Sequence, residues 1–298
     1  MRWESDVRLA EHTRYGIGGP AASFGRVGSI GELAGALASL SGTPYRVLGW
    51  GANVLVADAG LLEAVLVLGG ELDYLRLAAD SLEAGAAAGL PALIGAARRA
   101  ARSGFGFLEA VPGTVGGGLR MNAGSADVGL WERVLWADAM TAQGERVRLG
   151  PRDARPSYRR VEVPEEWIFL AACFAAPPAD PEDVQLEHMI RRREKVEAQV
   201  YELPSCGSTW KNPGGAFGSA WQVVERVGMR GARRGAAQIA ERHANFIVNL
   251  GGARAEDVLW LMRETRRRAH EEFGVWLEPE IRLWGFPPEE LSAVGAAS

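Results

Sequence analysis

The chain is nearly empty of lysine: of its 33 basic residues only Lys195 and Lys211 carry an ammonium. Cysteine is as scarce. Cys173 and Cys206 form no CxxC, and His12, His188, His243 and His270 follow no HExxH-like spacing. A zinc site and a disulfide framework are therefore not expected. No apolar run reaches the roughly 20 residues that span a bilayer, and the opening Met1-Arg2-Trp3-Glu4 starts no apolar signal core. The protein reads as cytoplasmic, without membrane insertion. An excess of positive charge is missing too. At a net charge of −4 the chain lacks the basic balance of a general nucleic-acid binder. What is present is globular composition, 47% hydrophobic and 23% charged over 298 residues, enough for two or three cores.

The first segments alternate turn chemistry with short apolar runs. Thr13-Arg14-Tyr15-Gly16-Ile17-Gly18-Gly19-Pro20-Ala21 leads into a strand near Phe24, and Ser29 and Glu32 stand at capping-box spacing before Leu33, Ala34, Leu37 and Leu40 at helical period. Tyr45 to Leu48 reads as a strand entering Gly49-Trp50-Gly51-Ala52-Asn53, with Val54-Leu55-Val56 resuming the apolar run. Bare backbone amides at such a turn can approach a phosphate, because no Cβ blocks them. A third glycine and a following helix are lacking, which excludes a Rossmann fingerprint. Strands are expected at Ala64 to Leu68 and Leu72 to Leu77, and a helix opens at Pro91.

Val111 to Gly124 is the most glycine-rich stretch, and its glycines alternate with Val, Leu and Met. A flexible linker would be rich in serine and charge, so this composition points to buried backbone packed against something large, flat or anionic. Strands follow around Val134 to Met140, Arg146 to Leu149 and Ile168 to Phe174, with Ser157-Tyr158-Arg159 between. Pro177 to Pro181 marks a boundary, with Asp180 as N-cap and Pro181 as first residue of a helix to about Val200, whose Arg191-Arg192-Arg193 forms a solvated face. Beyond it, Ala220 to Val227 and Ala236 to Glu241 read as helices, His243 to Asn249 as a strand, Glu256 to Glu271 as an amphipathic helix, and Val275 to Leu283 as a last strand broken by Pro279. Residues 201–274 have the pattern of a separate α+β domain.

Between boundary and domain lies Gly207-Ser208-Thr209-Trp210-Lys211-Asn212-Pro213. It sets a hydroxyl, an ammonium and a carboxamide between a glycine that frees the backbone and a proline that stiffens it.

Over nearly its whole length the chain resembles the UDP-N-acetylenolpyruvoylglucosamine reductases of bacterial peptidoglycan synthesis, the MurB family. The likeness rests on Tyr15 to Ala21, Gly49 to Leu55, Pro112 to Gly124, Ser157-Tyr158-Arg159, Gly207 to Pro213, His243 to Asn249 and Leu277 to Arg282. No tyrosine-bearing insertion occurs in 201–274, so the chain is similar to the shorter, second type. The resemblance implies an α+β protein: a two-subdomain FAD-binding fold of the vanillyl-alcohol-oxidase (PCMH) type and a smaller α+β substrate-binding domain. Residues 1–60 would form the first FAD-binding subdomain, to which strand 275–284 returns. Residues 61–178 would form the second, 179–200 a linker helix and 201–274 the substrate domain.

By the same likeness, non-covalent FAD is held by Tyr15, Gly49, Trp50, Gly51, Ala52, Asn53, Val54, Leu55, Pro112, Gly113, Thr114, Gly116, Gly117, Asn122, Ala123 and Gly124. Ser208 is the proton donor, with Arg159 and Glu280 completing the catalytic set. Tyr158, Lys211, Asn212, Arg230, Gln238 and His243 bind the UDP-sugar, and NADPH is the co-substrate. Arg230 stands where the family usually has lysine, and Arg160 and Val161 depart from the usual acidic residue and serine. No obligate protein partner is implied. The alternatives are another FAD-dependent oxidoreductase of this fold acting on a sugar or alcohol, a hydrolase using Ser208 or Cys206, and a non-catalytic nucleotide-binding module. The second lacks a Gly-x-Ser-x-Gly elbow.

Overall fold

Ser29 caps the first helix as its spacing predicts: in the computed structural model its Oγ accepts the Glu32 amide at 3.1 Å, and Ile30–Ser39 is helical. The structure describes residues 1–125 and 128–296. The chain divides into two units, one of Met1–Glu4, Ser23–Trp50 and Glu63–Glu197, the other of Ser5–Ala22, Gly51–Leu62 and Ala198–Ser298.

In the first unit Tyr45–Val47 pairs in parallel with part of Leu61–Leu68, Tyr45 opposite Ala64. A five-stranded antiparallel sheet runs in the order Arg146–Leu149, Val134–Met140, Ile168–Ala175, Ser81–Gly85, Leu75–Leu77. Its central strand, Ile168–Ala175, is buried along all but its last residue, which is why it reads as an unbroken apolar run. Its Phe174 packs into a core that Leu93, Phe105, Leu119 and Trp131 also fill. The helix Pro181–Ala198 begins where Asp180 Oδ1 accepts the amides of Glu182 and Asp183 at 2.8 and 3.3 Å. Arg191, Arg192 and Arg193 are exposed on it, as expected of a solvated face.

The second unit holds an antiparallel sheet in the order Ser205–Ser208, Phe246–Asn249, Ala237–Ile239, Arg233–Arg234, and the parallel pair Val54–Val56 with Arg282–Trp284. Ala255–Phe273 is the amphipathic helix its period announces, with Val258, Leu261, Met262, Thr265 and Ala269 buried.

Several elements differ from the sequence expectation. Residues 236–241 are not helical. Gly235, at φ +52°, starts a two-residue turn that pairs Arg234 with Ala237, and Ala237–Ile239 is then a strand whose pairing on both sides outweighs alanine's helix propensity. The strand expected from His243 begins only at Phe246, whose amide closes a turn onto the His243 carbonyl at 3.0 Å. The final strand shortens to Arg282–Trp284, because residues 278–280 pair with the polar loop instead. Leu72 to Leu77 splits into a tight helical turn, Gly70–Leu72, and the strand Leu75–Leu77. Three α-helices among the described residues go beyond the reading, Val115–Met121 inside the glycine-rich stretch, the single turn Pro151–Ala154, and Pro288–Val294. No helix among the described residues is long and apolar enough to cross a membrane.

Candidate functional site

The polar stretch around Ser208 starts as the strand Ser205–Ser208, and its register against Phe246–Asn249 shifts between Ser205 and Ser208. Gly207 sits in that bulge at φ +74°, a left-handed conformation that glycine adopts without cost. Beyond it the backbone is clamped by Asn245, which is 3% exposed. Its Oδ1 accepts the Trp210 amide and its Nδ2 donates to the Trp210 carbonyl, both at 2.9 Å, while its own carbonyl accepts the Thr209 amide at 2.7 Å. Sequence reasoning gave Asn245 no role. The available signal was a carboxamide set among the apolar residues of His243-Ala244-Asn245-Phe246-Ile247.

The opposite side of this loop is lined by the C-terminal segment. Lys211 donates its amide to the Glu278 carbonyl at 2.9 Å, the Glu280 amide donates to the Thr209 carbonyl at 2.8 Å, and Trp210 bridges Pro279 in antiparallel sense. Glu280, about 70 residues away in sequence, thereby lies beside the segment that carries Ser208. Asn53 fixes it from below, its Nδ2 donating to the Glu280 carbonyl at 3.0 Å while its own carbonyl accepts the Arg282 amide at 2.9 Å. Lys211 Nζ stands 3.3 Å from Glu278 Oε2, and Asn212 Oδ1 accepts the amide of Ala220, the first residue of the helix Ala220–Arg226.

The other residues assigned to a UDP-sugar lie in the same unit, apart from Tyr158. Arg230 Nε is 2.9 Å from Glu225 Oε1, and its Nη1 donates to the Glu241 carbonyl. Gln238 Nε2 donates to the Gly231 carbonyl at 3.1 Å. The His243 ring meets Phe246 edge-on at 4.8 Å, and burial first, then the Arg230 charge, holds its imidazole below the usual range despite an opposing backbone hydrogen bond. Tyr15 is 1% exposed within the core formed with Leu55 and Cys206, and burial raises its hydroxyl well above the ordinary range. Cys206 is buried as well. Its Sγ donates to the Val54 carbonyl at 3.0 Å and burial pushes the thiol far up, so it supplies no thiolate to a hydrolase.

The first unit carries Gly49, Trp50, the stretch Val111 to Gly124, Tyr158 and Arg159. Thr114 caps Val115–Met121, its Oγ1 accepting the Gly117 amide at 3.2 Å, and Asn122 ends the helix at φ +42°. Both sides of the Asn122 carboxamide are engaged: Oδ1 accepts the Trp131 amide at 3.1 Å and Nδ2 donates to the Ser157 carbonyl at 2.9 Å. That second bond ties down the loop bearing Tyr158 and Arg159. Arg159 adopts φ +56°, which costs an L residue roughly 1–2 kcal/mol. Its Nη2 donates to the Gly124 carbonyl at 3.2 Å, and its guanidinium lies 4.9 Å from the centre of the Tyr158 ring.

Whether these residues suit a dinucleotide can be judged from the turn Gly51-Ala52-Asn53. A Cβ at Gly51 would fall 2.5 Å from the His12 carbonyl oxygen, so the turn requires glycine. The amides of Gly51, Ala52 and Asn53 donate to no acceptor among the described residues. Successive free amides of this kind suit a phosphate oxygen, and the residues present therefore fit the phosphate end of a bound dinucleotide.

Residues 199–284 match the family model described as UDP-N-acetylenolpyruvoylglucosamine reductase, C-terminal domain. The chain is 39% identical over 286 residues to the UDP-N-acetylenolpyruvoylglucosamine reductase of Rubrobacter xylanophilus, with 95% of each chain covered. To the reductase of the same name from Paramagnetospirillum magneticum it is 37% identical over 285 residues, covering 95% of this chain and 92% of the other. Among solved structures it is similar to the UDP-N-acetylenolpyruvylglucosamine reductase (MurB) of Thermus caldophilus, with a TM-score of 0.84, 34% identity, and coverage of 95% of this chain and 99% of that one.

Proposed function

Because the chain belongs to the UDP-N-acetylenolpyruvoylglucosamine reductase family, we propose that it reduces the enolpyruvyl group of UDP-N-acetylglucosamine-enolpyruvate to give UDP-N-acetylmuramate for peptidoglycan synthesis. NADPH is the electron source and FAD, when bound, supplies the hydride. The turn Gly49 to Leu55 and the stretch Pro112 to Gly124 hold FAD, and the free amides of Gly51, Ala52 and Asn53 support the first of these as the seat of its phosphates.

The remaining chemistry belongs to the side chains. Addition of hydride to the terminal carbon of an alkene conjugated with a carboxylate builds negative charge on the carboxyl oxygens. A fixed guanidinium stabilises that charge, and Arg159 has that role. The carbon next to the carboxylate is then basic enough to take a proton from an alcohol, so Ser208 donates one without the activation a serine nucleophile needs. Glu280 completes the set. Lys211, Asn212, Arg230, Gln238, His243 and Tyr158 bind the nucleotide sugar, Arg230 as a planar cation where relatives usually have a point charge.

The observation that carries this reading is the backbone pairing of Glu280 with Thr209 at 2.8 Å, which sets a carboxylate beside the serine segment from a distant part of the chain. The purified protein should be yellow and should turn over NADPH when given the enolpyruvyl UDP-sugar. A colourless protein that ignores added FAD would overturn the proposal.

A further inference from the structure

One face of the helix Pro181–Ala198 carries a group of charges that the proposed reaction leaves unused, in the same unit as Arg159. His188, fully buried, has Nδ1 at 2.8 Å from Glu109 Oε1, and Arg192 Nη1 lies 3.7 Å from Glu109 Oε2. Further along, residues 191–194 and 196–198 are exposed, and Lys195 between them is partly buried. A lysine turned inward on the solvated last turns of this helix needs a reason, since its charge resists burial.

Its contacts lead to Arg159. Lys195 Nζ donates to the Phe107 carbonyl at 2.9 Å, and that same carbonyl accepts Ser125 Oγ at 2.9 Å. Ser125 belongs with Gly124 to the short strand Gly124–Ser125, and the Gly124 carbonyl is the one that accepts Arg159 Nη2 at 3.2 Å. We propose that Lys195 is a positioning residue, whose ammonium fixes the Phe107–Ser125 bridge and, through Gly124, the seat of the Arg159 guanidinium. The inference rests on the reading of Arg159 as the group that stabilises charge on the substrate carboxyl.

Protonation matters to this role, because an ammonium holds a carbonyl roughly twice as strongly as a neutral donor does. The charged groups facing Lys195 are Arg159 and Glu109 from other elements and Arg191 from its own helix. Burial, then Arg159, pushes its ammonium down to about 8; Arg191 acts in the same sense and Glu109 against it. The ammonium is therefore present at neutral pH and is lost as pH rises through about 8. The seat of Arg159 loosens over that range.

The scarcity of lysine makes the test direct. Protein labelled with carbon-13 at lysine Cε gives signals from Lys195 and Lys211 alone, and Lys195→Met identifies one of them. The Lys195 signal should titrate near pH 8. In Arg159→Gln its midpoint should move to higher pH, since removing a like charge favours the ammonium. In kinetics, Lys195→Met should slow flavin reoxidation by the enolpyruvyl UDP-sugar roughly tenfold and leave flavin reduction by NADPH unchanged. Lys195→Arg should restore the rate and remove its decline above neutral pH.

A Lys195 midpoint near the ordinary value of about 10.4, or one indifferent to Arg159→Gln, would overturn the proposal. So would a Lys195→Met protein that reoxidises at the wild-type rate, or one that loses both half-reactions equally. If the wild-type flavin is never reoxidised by this sugar, the functional reading fails instead, and the lysine titration still decides whether Lys195 and Arg159 are coupled.

Discussion

At Gly124 an added methyl group has nowhere to go, whereas at Gly207 it would stand in open space. A Cβ on Gly124 would lie 1.9 Å from the Val128 carbonyl oxygen, one on Gly49 would lie 2.7 Å from Thr114 Oγ1, and one on Gly118 would lie 3.0 Å from Leu130. On Gly207 it would meet nothing within 4 Å, and only the backbone angle of φ +74° demands glycine. The glycine-rich stretch of the first unit is held by volume, its backbone pressed against side chains at Gly118 and against another backbone at Gly124. The polar loop of the second is held by backbone pairing with residues 278–280 and, in addition, by side chains: Asn245 on Trp210, Asn212 on Ala220, and Lys211 beside Glu278. On the proposed reading, the first method suits a stretch that presents backbone to a ligand, and the second a loop that presents the hydroxyl of Ser208.

This contrast breaks most sharply at the hydroxyl itself. Ser208→Ala removes no clamp from the loop, so it should leave stability and flavin reduction by NADPH unchanged. Reoxidation by substrate should fall roughly 10³-fold, about 4 kcal/mol of barrier. Stopped-flow absorbance of the two half-reactions measures this, and an equal loss in both would make Ser208 structural. Next in size is Gly124→Ala, where the methyl overlaps a backbone carbonyl that cannot turn aside. A loss of about 3 kcal/mol or more is expected in chemical denaturation, along with weaker retention of FAD. Asn245→Ala should cost less, about 2 kcal/mol, by leaving the amide and carbonyl of Trp210 without partners in a loop residue that is 2% exposed. Asn245→Asp keeps the acceptor and loses the donor, and should fall between alanine and wild type.

The same contrast explains what could be read from the residues alone. Helices announced by caps and period were legible: Ser29 and Asp180 do accept the amides their spacing predicts, and Ala255–Phe273 buries the stripe its pattern draws. The buried central strand Ile168–Ala175 was legible as an apolar run. Residues 236–241 were misread because alanine favours a helix locally, while the strand there exists through pairing partners that a local pattern does not contain. The glycine-rich stretch was read as backbone packed against something large, and much of that something is the protein itself, Val128, Leu130 and Ala86. The helix Val115–Met121 escaped notice because three glycines lower its propensity, and a Thr114 cap with tertiary packing restores it. In the polar loop the chemical groups were visible at once. Their holder, Asn245, was not, since one asparagine in an apolar run looks the same whether it clamps a loop or merely begins a strand.

The smallest effect is expected at Gly207, although it adjoins Ser208. With space around it, alanine there meets only the torsional cost of a left-handed backbone, roughly 1–2 kcal/mol. Asparagine adopts that conformation more readily, so Gly207→Asn should lose less than Gly207→Ala, and Gly207→Val, with a branched side chain, should lose more than either. Denaturation midpoints of the three variants give the order. If alanine and asparagine were equally damaging, or if Gly207→Ala matched Gly124→Ala, space around Gly207 rather than its angle would be the constraint. The bulge would then be filled in solution by something that needs the missing side chain, and the division between a region held by volume and a loop held by side chains would fail at the residue where it is drawn most clearly.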